Sequence, residues 1–370
     1  MDNNDQQFLD DYFARYKRLL LTTDVYTELS LFKDLCKRVS ATGNKLIFAG
    51  NGASASISSH AATDFTQHAK VRAICFNDHN LITAFSNDYG YENWVARALE
   101  AYADPGDVIV LISSSGKSPN IINAAKYAQE QDLDVVTFSG FAPDNPLRTM
   151  SSPSFWVDSC AYNIVESIHL IWILAVANLL DQEESDILFL KNYFMEHEHA
   201  LFDVNHNTNL VKFRDLCRSV SERGGKMLFA GNGGSASIAS HAATDLTKQS
   251  KIRTVCFNDH NLISAFSNDY GQEHWIAQCI DAYADPNDAV VLISSSGRSE
   301  NIINAANLAK QKGLPVVTFT GFDSTNPLKK LGPDSFWADS RNYNVTEAVH
   351  AIWICCVVDM LVGKAEYGVC

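Results

Sequence analysis

The chain is poor in charge, and poorest in positive charge. Only 19% of its 370 residues are charged, and 43 acidic against 29 basic side chains leave a formal net charge of −14. No nucleic-acid partner is expected, because affinity for a phosphate backbone needs clustered Lys and Arg. A small phosphorylated ligand stays open, since backbone N–H groups and hydroxyls can hold a phosphate locally. Long hydrophobic runs are also lacking. The longest, residues 168–180, is broken by His169 and Asn178 and is shorter than a bilayer requires, so no membrane partner is expected. The opening MDNNDQQFLDDYF has neither the basic nor the apolar segment of a secretory signal. There is no C-x-x-C pair among the nine cysteines, an odd number, and Cys355 and Cys356 lie side by side in an apolar helical stretch. Reduced thiols in a soluble cytoplasmic protein are the expectation. With 46% apolar residues, 19 Gly and 9 Pro, composition excludes a disordered chain, a fibrous repeat and a disulfide miniprotein.

What is present is one domain written twice. KLIFAGNGASASISSHAATDF, beginning at Lys45, returns as KMLFAGNGGSASIASHAATDL, beginning at Lys226. ICFNDHNLITAFSNDYG returns as VCFNDHNLISAFSNDYG, and VLISSSGKSPNIINAA as VLISSSGRSENIINAA, all at an offset of 181 positions. A period this long is a domain duplication, not a solenoid. The polar stretch DQEESD marks the boundary, which gives domains 1–181 and 182–370. Within each copy, short β-branched runs (KLIFAG, VRAICF, DVIVLIS, DVVTFSG, SFWVDS) alternate with segments of helical period. That order predicts an α/β fold, a parallel sheet covered by helices on both faces, with ligands at the carboxyl ends of the strands.

Two strand-to-helix loops have the composition of ligand loops. The first holds Asn51, Gly52, Ala53 and Ser54 after Gly50, and Asn232, Gly233, Gly234 and Ser235 after Gly231. Glycines permit a sharp turn, and the following helix presents free N–H groups to an anion. Alone, this pattern also suits a dinucleotide site or a plain tight turn. The second loop places Ser113, Ser114, Ser115 and Ser118 around Gly116, repeated as Ser294, Ser295, Ser296 and Ser299 around Gly297. One serine would cap a helix; four around a glycine at a helix start favour a phosphate cradle. No nucleotide cofactor is expected, because a dinucleotide site would leave the four-serine loop unexplained.

Acid–base residues follow. His60 and Asp64, repeated as His241 and Asp245, are four apart and share a helix face. Glu166 and His169, repeated as Glu347 and His350, are three apart on the last apolar helix. An imidazole and carboxylates drawn from two helices suit proton transfer through an enediol, as in ketose–aldose interconversion. The other reading of His169 and His350 is a satisfied core histidine.

GNGGSAS followed by a His, then SNDYG, then SSSGRS, resembles the sugar isomerase (SIS) domain. Within that family the resemblance is to the phosphoheptose isomerases, whose patterns read GNGGS, GNDFG and STSGNS. It implies two tandem SIS domains, each a five-stranded parallel sheet flanked by helices in a flavodoxin-like three-layer arrangement. It also implies a phosphorylated sugar as partner, with sedoheptulose 7-phosphate converted to D-glycero-D-manno-heptose 7-phosphate. By match of position, Ser54, Ser235 and the loop serines hold phosphate, while Asn51, Asn232, Asp88 and Asp269 contact sugar hydroxyls. The family's H-x-x-x-E stands here as His60-x-x-x-Asp64 and His241-x-x-x-Asp245. Its last helix supplies a Gln and, eight positions on, a His that complete a zinc site. Those positions hold Glu166 and Leu174 in the first copy, and Glu347 and Cys355 in the second. Zinc is thus expected on His241, Asp245, Glu347 and Cys355, and less so on His60, Asp64 and Glu166. If the turn needs a left-handed residue at Ala53, alanine is strained there, so the second copy is expected to be the more active. Family tetramers imply a pseudo-dimer within the chain and a homodimer overall, a pseudo-tetramer of SIS domains. The alternative in the same family is a non-catalytic phosphosugar-binding module.

Overall fold

The computed structural model describes residues 1–366; the last four residues, the end of the expected domain 182–370, lie outside the described residues. In the first repeat α1 (Asn3–Thr22) and α2 (Tyr26–Thr42) precede β1 (Leu46–Gly50), α3 (Ala53–Gln67), β2 (Ala73–Cys75), α4 (His79–Tyr89) and α5 (Trp94–Tyr102). Then come β3 (Val108–Ser113), α6 (Pro119–Glu130), β4 (Asp134–Gly140), β5 (Ser154–Val157) and α7 (Tyr162–Leu179). The second repeat opens with α8 (Asp186–Phe202), α9 (Asn207–Glu222), β6 (Met227–Gly231), α10 (Gly234–Lys248), β7 (Thr254–Cys256), α11 (His260–Tyr270) and α12 (Trp275–Tyr283). It closes with β8 (Ala289–Ser294), α13 (Glu300–Gln311), β9 (Val316–Thr320), α14 (Pro327–Leu331), β10 (Asp334–Trp337) and α15 (Tyr343–Val362).

Each repeat builds one five-stranded sheet, in the orders β2-β1-β3-β4-β5 and β10-β9-β8-β6-β7, with every pairing parallel. The expected α/β architecture is therefore the one observed. Every residue of β1, β3, β6 and β8 is buried, as nearly continuous apolar runs require when helices cover both faces. Phe138 stacks on Phe155 at 4.4 Å and 3°, and Phe319 on Phe336 identically, which ties the two outer strands in each sheet. Because β1 lies between β2 and β3, and β6 between β7 and β8, strand order reverses there. The loops after β1 and β3, and after β6 and β8, flank that switch point, where open α/β sheets bind ligands.

By compactness the chain divides into Tyr16–Phe194 and a second unit of Met1–Arg15 with Met195–Ala365. These limits differ from a cut at 181, for reasons visible in side chains. In the second unit Asp5 pairs with Arg214, and Phe13 packs edge-on against Phe202 at 6.3 Å. In the first unit Asp186 pairs with Lys33 at 2.6 Å, and Phe194 meets Tyr26 at 6.1 Å. Asp5 and Asp186 are equivalent by the 181 offset, as are Lys33 and Arg214. Each unit thus includes the first part of the leading helix of the other repeat.

The helices α7 and α15 are longer than the apolar run suggested and reach the length and hydropathy of a membrane span, but 89% of each window is buried inside the fold. They are core helices. Seven described cysteines, Cys36, Cys75, Cys217, Cys256, Cys279, Cys355 and Cys356, are free thiols as expected. Cys160 departs from that expectation: it is partly exposed and disulfide-bonded.

Candidate functional site

The first loop is shaped by the close approach of strand and helix. A Cβ on Gly50 would lie 2.6 Å from the Ser54 carbonyl carbon, and one on Gly231 2.5 Å from the Ser235 carbonyl oxygen, so only glycine lets the backbone pass. The left-handed residues are Gly52 (φ 56°) and Gly233 (φ 54°), each just before its helix. Ala53 is the first residue of α3 and is not among the positive-φ residues. The expectation that Ala53 strains the turn is therefore corrected: the unusual torsion falls one residue earlier, where both copies keep glycine.

Asn51 and Asn232 are fixed by paired amides. Asn51 and Asn120 exchange two hydrogen bonds of 2.9 Å, and Asn232 and Asn301 exchange two of 3.0 Å. This clasp joins the first loop to the helix that follows the second. Asn120 and Asn301 lay in the repeated NIINAA but carried no sequence signal beyond their repetition. Asn77 and Asn258 were missed in the same way. Their side-chain N–H groups donate to the backbone carbonyls of Ala55 and Ala236 at 2.5 Å, holding the first turn of α3 and α10.

The serines of the second loop bond to one another and to the loop backbone rather than capping the helix. Ser118 and Ser299 stand at the N-cap positions of α6 and α13 but make no capping bond. Their hydroxyls instead meet Ser113 and Ser294 at 3.0 Å. Ser115 accepts the Lys117 N–H at 3.2 Å, and Ser296 the Arg298 N–H at 3.3 Å. Gly116 and Gly297 are left-handed (φ 63° and 62°), and a Cβ there would lie 1.8 Å and 2.0 Å from the side-chain oxygen of Asn145 or Asn326. The loop therefore wraps round a buried asparagine.

The last helix reaches both loops. In the second repeat one oxygen of Glu347 accepts the hydroxyls of Ser235 at 3.1 Å and Ser295 at 3.2 Å. In the first, Glu166 accepts Ser114 at 3.0 Å. Both glutamates are buried, at 7% exposure or less. On the neighbouring helix, His241 Nε2 lies 3.2 Å from Asp245 and 4.0 Å from the Cys355 sulfur. His60 and Asp64 are farther apart, at 3.7 Å. Burial works against the charged form of His241, yet Cys355 and Asp245 together hold its pKa well above the ordinary value. Burial pushes the Cys355 thiol up, and the nearby His241 only partly offsets this.

His169 and His350 are core histidines. Both are fully buried, and each donates Nε2–H to a backbone carbonyl, of Ser139 and Thr320 respectively, at 2.9 Å. Burial pushes each down to about 4, against the smaller pull of that carbonyl, so both are neutral. Asp88 and Asp269 are exposed at the ends of α4 and α11, where they accept from the adjacent Asn87 and Asn268. His241 draws Asp245 and Cys355 separately, while Glu347 is turned to the serines.

The SIS domain family profile matches residues 11–140 and 192–321. A probable phosphoheptose isomerase from Thermoplasma acidophilum is 34% identical over 178 residues, covering 46% of this chain and 97% of that protein. A phosphoheptose isomerase from Akkermansia muciniphila is 32% identical over 155 residues, covering 40% of this chain and 82% of its own. Among solved structures, the C-terminal domain of glucosamine-fructose-6-phosphate aminotransferase from Francisella tularensis superposes with a TM-score of 0.63 over 96% of both chains, at 13% identity. That similarity concerns the fold and extends it across both repeats. Matched twice by the profile and over nearly whole relatives by sequence, the chain belongs to the SIS domain family.

Proposed function

We propose that this protein is a ketose–aldose isomerase of a phosphorylated sugar, with sedoheptulose 7-phosphate and D-glycero-D-manno-heptose 7-phosphate as the interconverted pair. The observation that carries the reading is Glu347, a buried carboxylate hydrogen-bonded at once to the first loop and the serine cradle. In this reading the serine hydroxyls and the helix N-terminus hold the phosphate, and Asn232 meets sugar hydroxyls. Glu347 then stands at the edge of the cradle to move a proton between C1 and C2. His241, hydrogen-bonded to Asp245, donates to the carbonyl oxygen as the enediol forms. The names of the relatives support the heptose substrate.

The first repeat favours a second reading for itself, a binding module, because Leu174 stands where Cys355 meets His241. As part of the same proposal the chain acts in the cytoplasm and assembles as a homodimer. A particle of twice 40.9 kDa by light scattering is expected, and a 40.9 kDa monomer would refute the assembly. The deciding experiment is incubation with sedoheptulose 7-phosphate, with the aldose followed directly. Glu347→Gln and Asp245→Asn should each lower turnover by about 100-fold or more, the scale of a lost general acid or base. Asp64→Asn should leave most of it. Binding without turnover by the wild type would transfer the whole protein to the non-catalytic reading.

A further inference from the structure

The two repeats keep the same loops but differ in the side chains that rim them. Tyr91 donates its phenol O–H to Asn51 Oδ1 at 2.9 Å, while the residue stays 54% exposed. Asn51 is thus held from two sides, by Tyr91 and by Asn120. The residue 181 positions on from Tyr91 is Gln272, and it gives Asn232 no such bond. At the serine loop of the first repeat Lys117 is exposed and carries no ion pair among the described residues, and α6 begins on Pro119. In the second repeat Arg298 is paired with Asp323 at 3.1 Å, and α13 begins on Glu300. A phosphate dianion at the first loop therefore meets an uncompensated cation. At the second it meets a compensated one, and a carboxylate already occupies the positive end of the helix.

We propose that the repeats are unequal sites for one sugar phosphate, the first binding it more tightly and the second carrying turnover. Tyr91 is the specificity-determining residue at the sugar end of the first site, and Lys117 acts at its phosphate end. The inference rests on the phosphosugar reading above. An aromatic ring at the mouth of the first loop offers its face to the C–H side of a sugar, and its hydroxyl pre-sets Asn51 for the ring hydroxyls, so less ordering remains to be done on binding. The second repeat lacks both devices and instead has Cys355 against His241.

The test is titration calorimetry on the full chain at low salt with two probes: inorganic phosphate, and sedoheptulose 7-phosphate reduced at its carbonyl so that it cannot isomerise. Two classes of site are expected for the reduced sugar, about tenfold apart, the scale of one added hydrogen bond and one unscreened charge. Lys117→Glu should weaken the tight class for both probes, and the effect should fade with salt. Tyr91→Gln should weaken it about tenfold for the reduced sugar and leave inorganic phosphate unchanged. Glu300→Gln should tighten the weak class. Two equal sites, or a tight class that survives both Lys117→Glu and Tyr91→Gln, would overturn the proposal while leaving the phosphosugar reading intact. A chain that binds neither probe overturns both.

Discussion

Gly297 and Gly313 share a left-handed backbone, at φ 62° and 72°, but only Gly297 is crowded. A Cβ at Gly313 meets nothing within 4 Å, whereas one at Gly297 would enter the side chain of Asn326. Gly313→Ala should cost about 1 kcal/mol for the torsion alone, and Gly297→Ala about 3 kcal/mol or more, with loss of phosphate binding. Equal urea midpoints for the two variants would show that the serine loop does not depend on this contact. His169 and His350 make a pH prediction at the same scale. Their native imidazoles titrate at about 4, and in the unfolded chain near 6.5. Between those values the unfolded state binds more protons. The stabilising contribution is therefore complete above pH 6.5 and is lost as pH falls toward 4, by an amount on the order of 3 kcal/mol per residue. His350→Gln, which keeps a neutral donor for the Thr320 carbonyl, should flatten stability between pH 7 and 5. An unchanged slope of urea midpoint against pH would contradict it.

At the scale of elements, two equivalent ion pairs dock the leading helices. Asp5 and Arg214 leave only 13% and 11% of their side chains exposed, and the hydrogen bond from Arg214 lowers the Asp5 pKa. Breaking a pair this buried strands one charge. Arg214→Ala should therefore cost about 2 kcal/mol or more, and Lys33→Ala a similar amount through Asp186. Arg298→Ala, which breaks an exposed pair, should cost less than about 0.5 kcal/mol. Because the Asp5 carboxyl is held low in the folded state, its contribution is present above the ordinary carboxylate range and is lost as pH falls through the lowered value. The strands of each repeat were legible as short apolar runs, and the serine loop as a strand-to-helix turn round a glycine. The docking of α1 was not, because an amphipathic helix carries no mark of which sheet it will cover.

For the whole molecule, the exchange of leading helices means that neither repeat is a self-sufficient piece. A fragment ending at residue 181 keeps Lys33 without Asp186 and Asp5 without Arg214. Fragments 1–181 and 182–370 should be poorly folded when expressed singly and should recover a cooperative thermal transition when co-expressed. A well-folded, monodisperse 1–181 fragment would refute this.

The sequence alone determined the duplication, the α/β class, the two glycine-bearing strand-to-helix turns and the pairing of His with Asp, because each is written in local pattern: identity at one offset, apolar runs, glycines at sharp turns, spacing on a helix face. Tertiary structure decided the rest. It assigned His169 and His350 to the core, moved the left-handed residue from Ala53 to Gly52, turned Glu347 toward the serines, and brought in Asn120, Asn145 and Tyr91. These depend on which groups meet across the sheet's carboxyl edge. Such meetings are set by packing and by the need of buried polar groups for partners, and no local spacing encodes them.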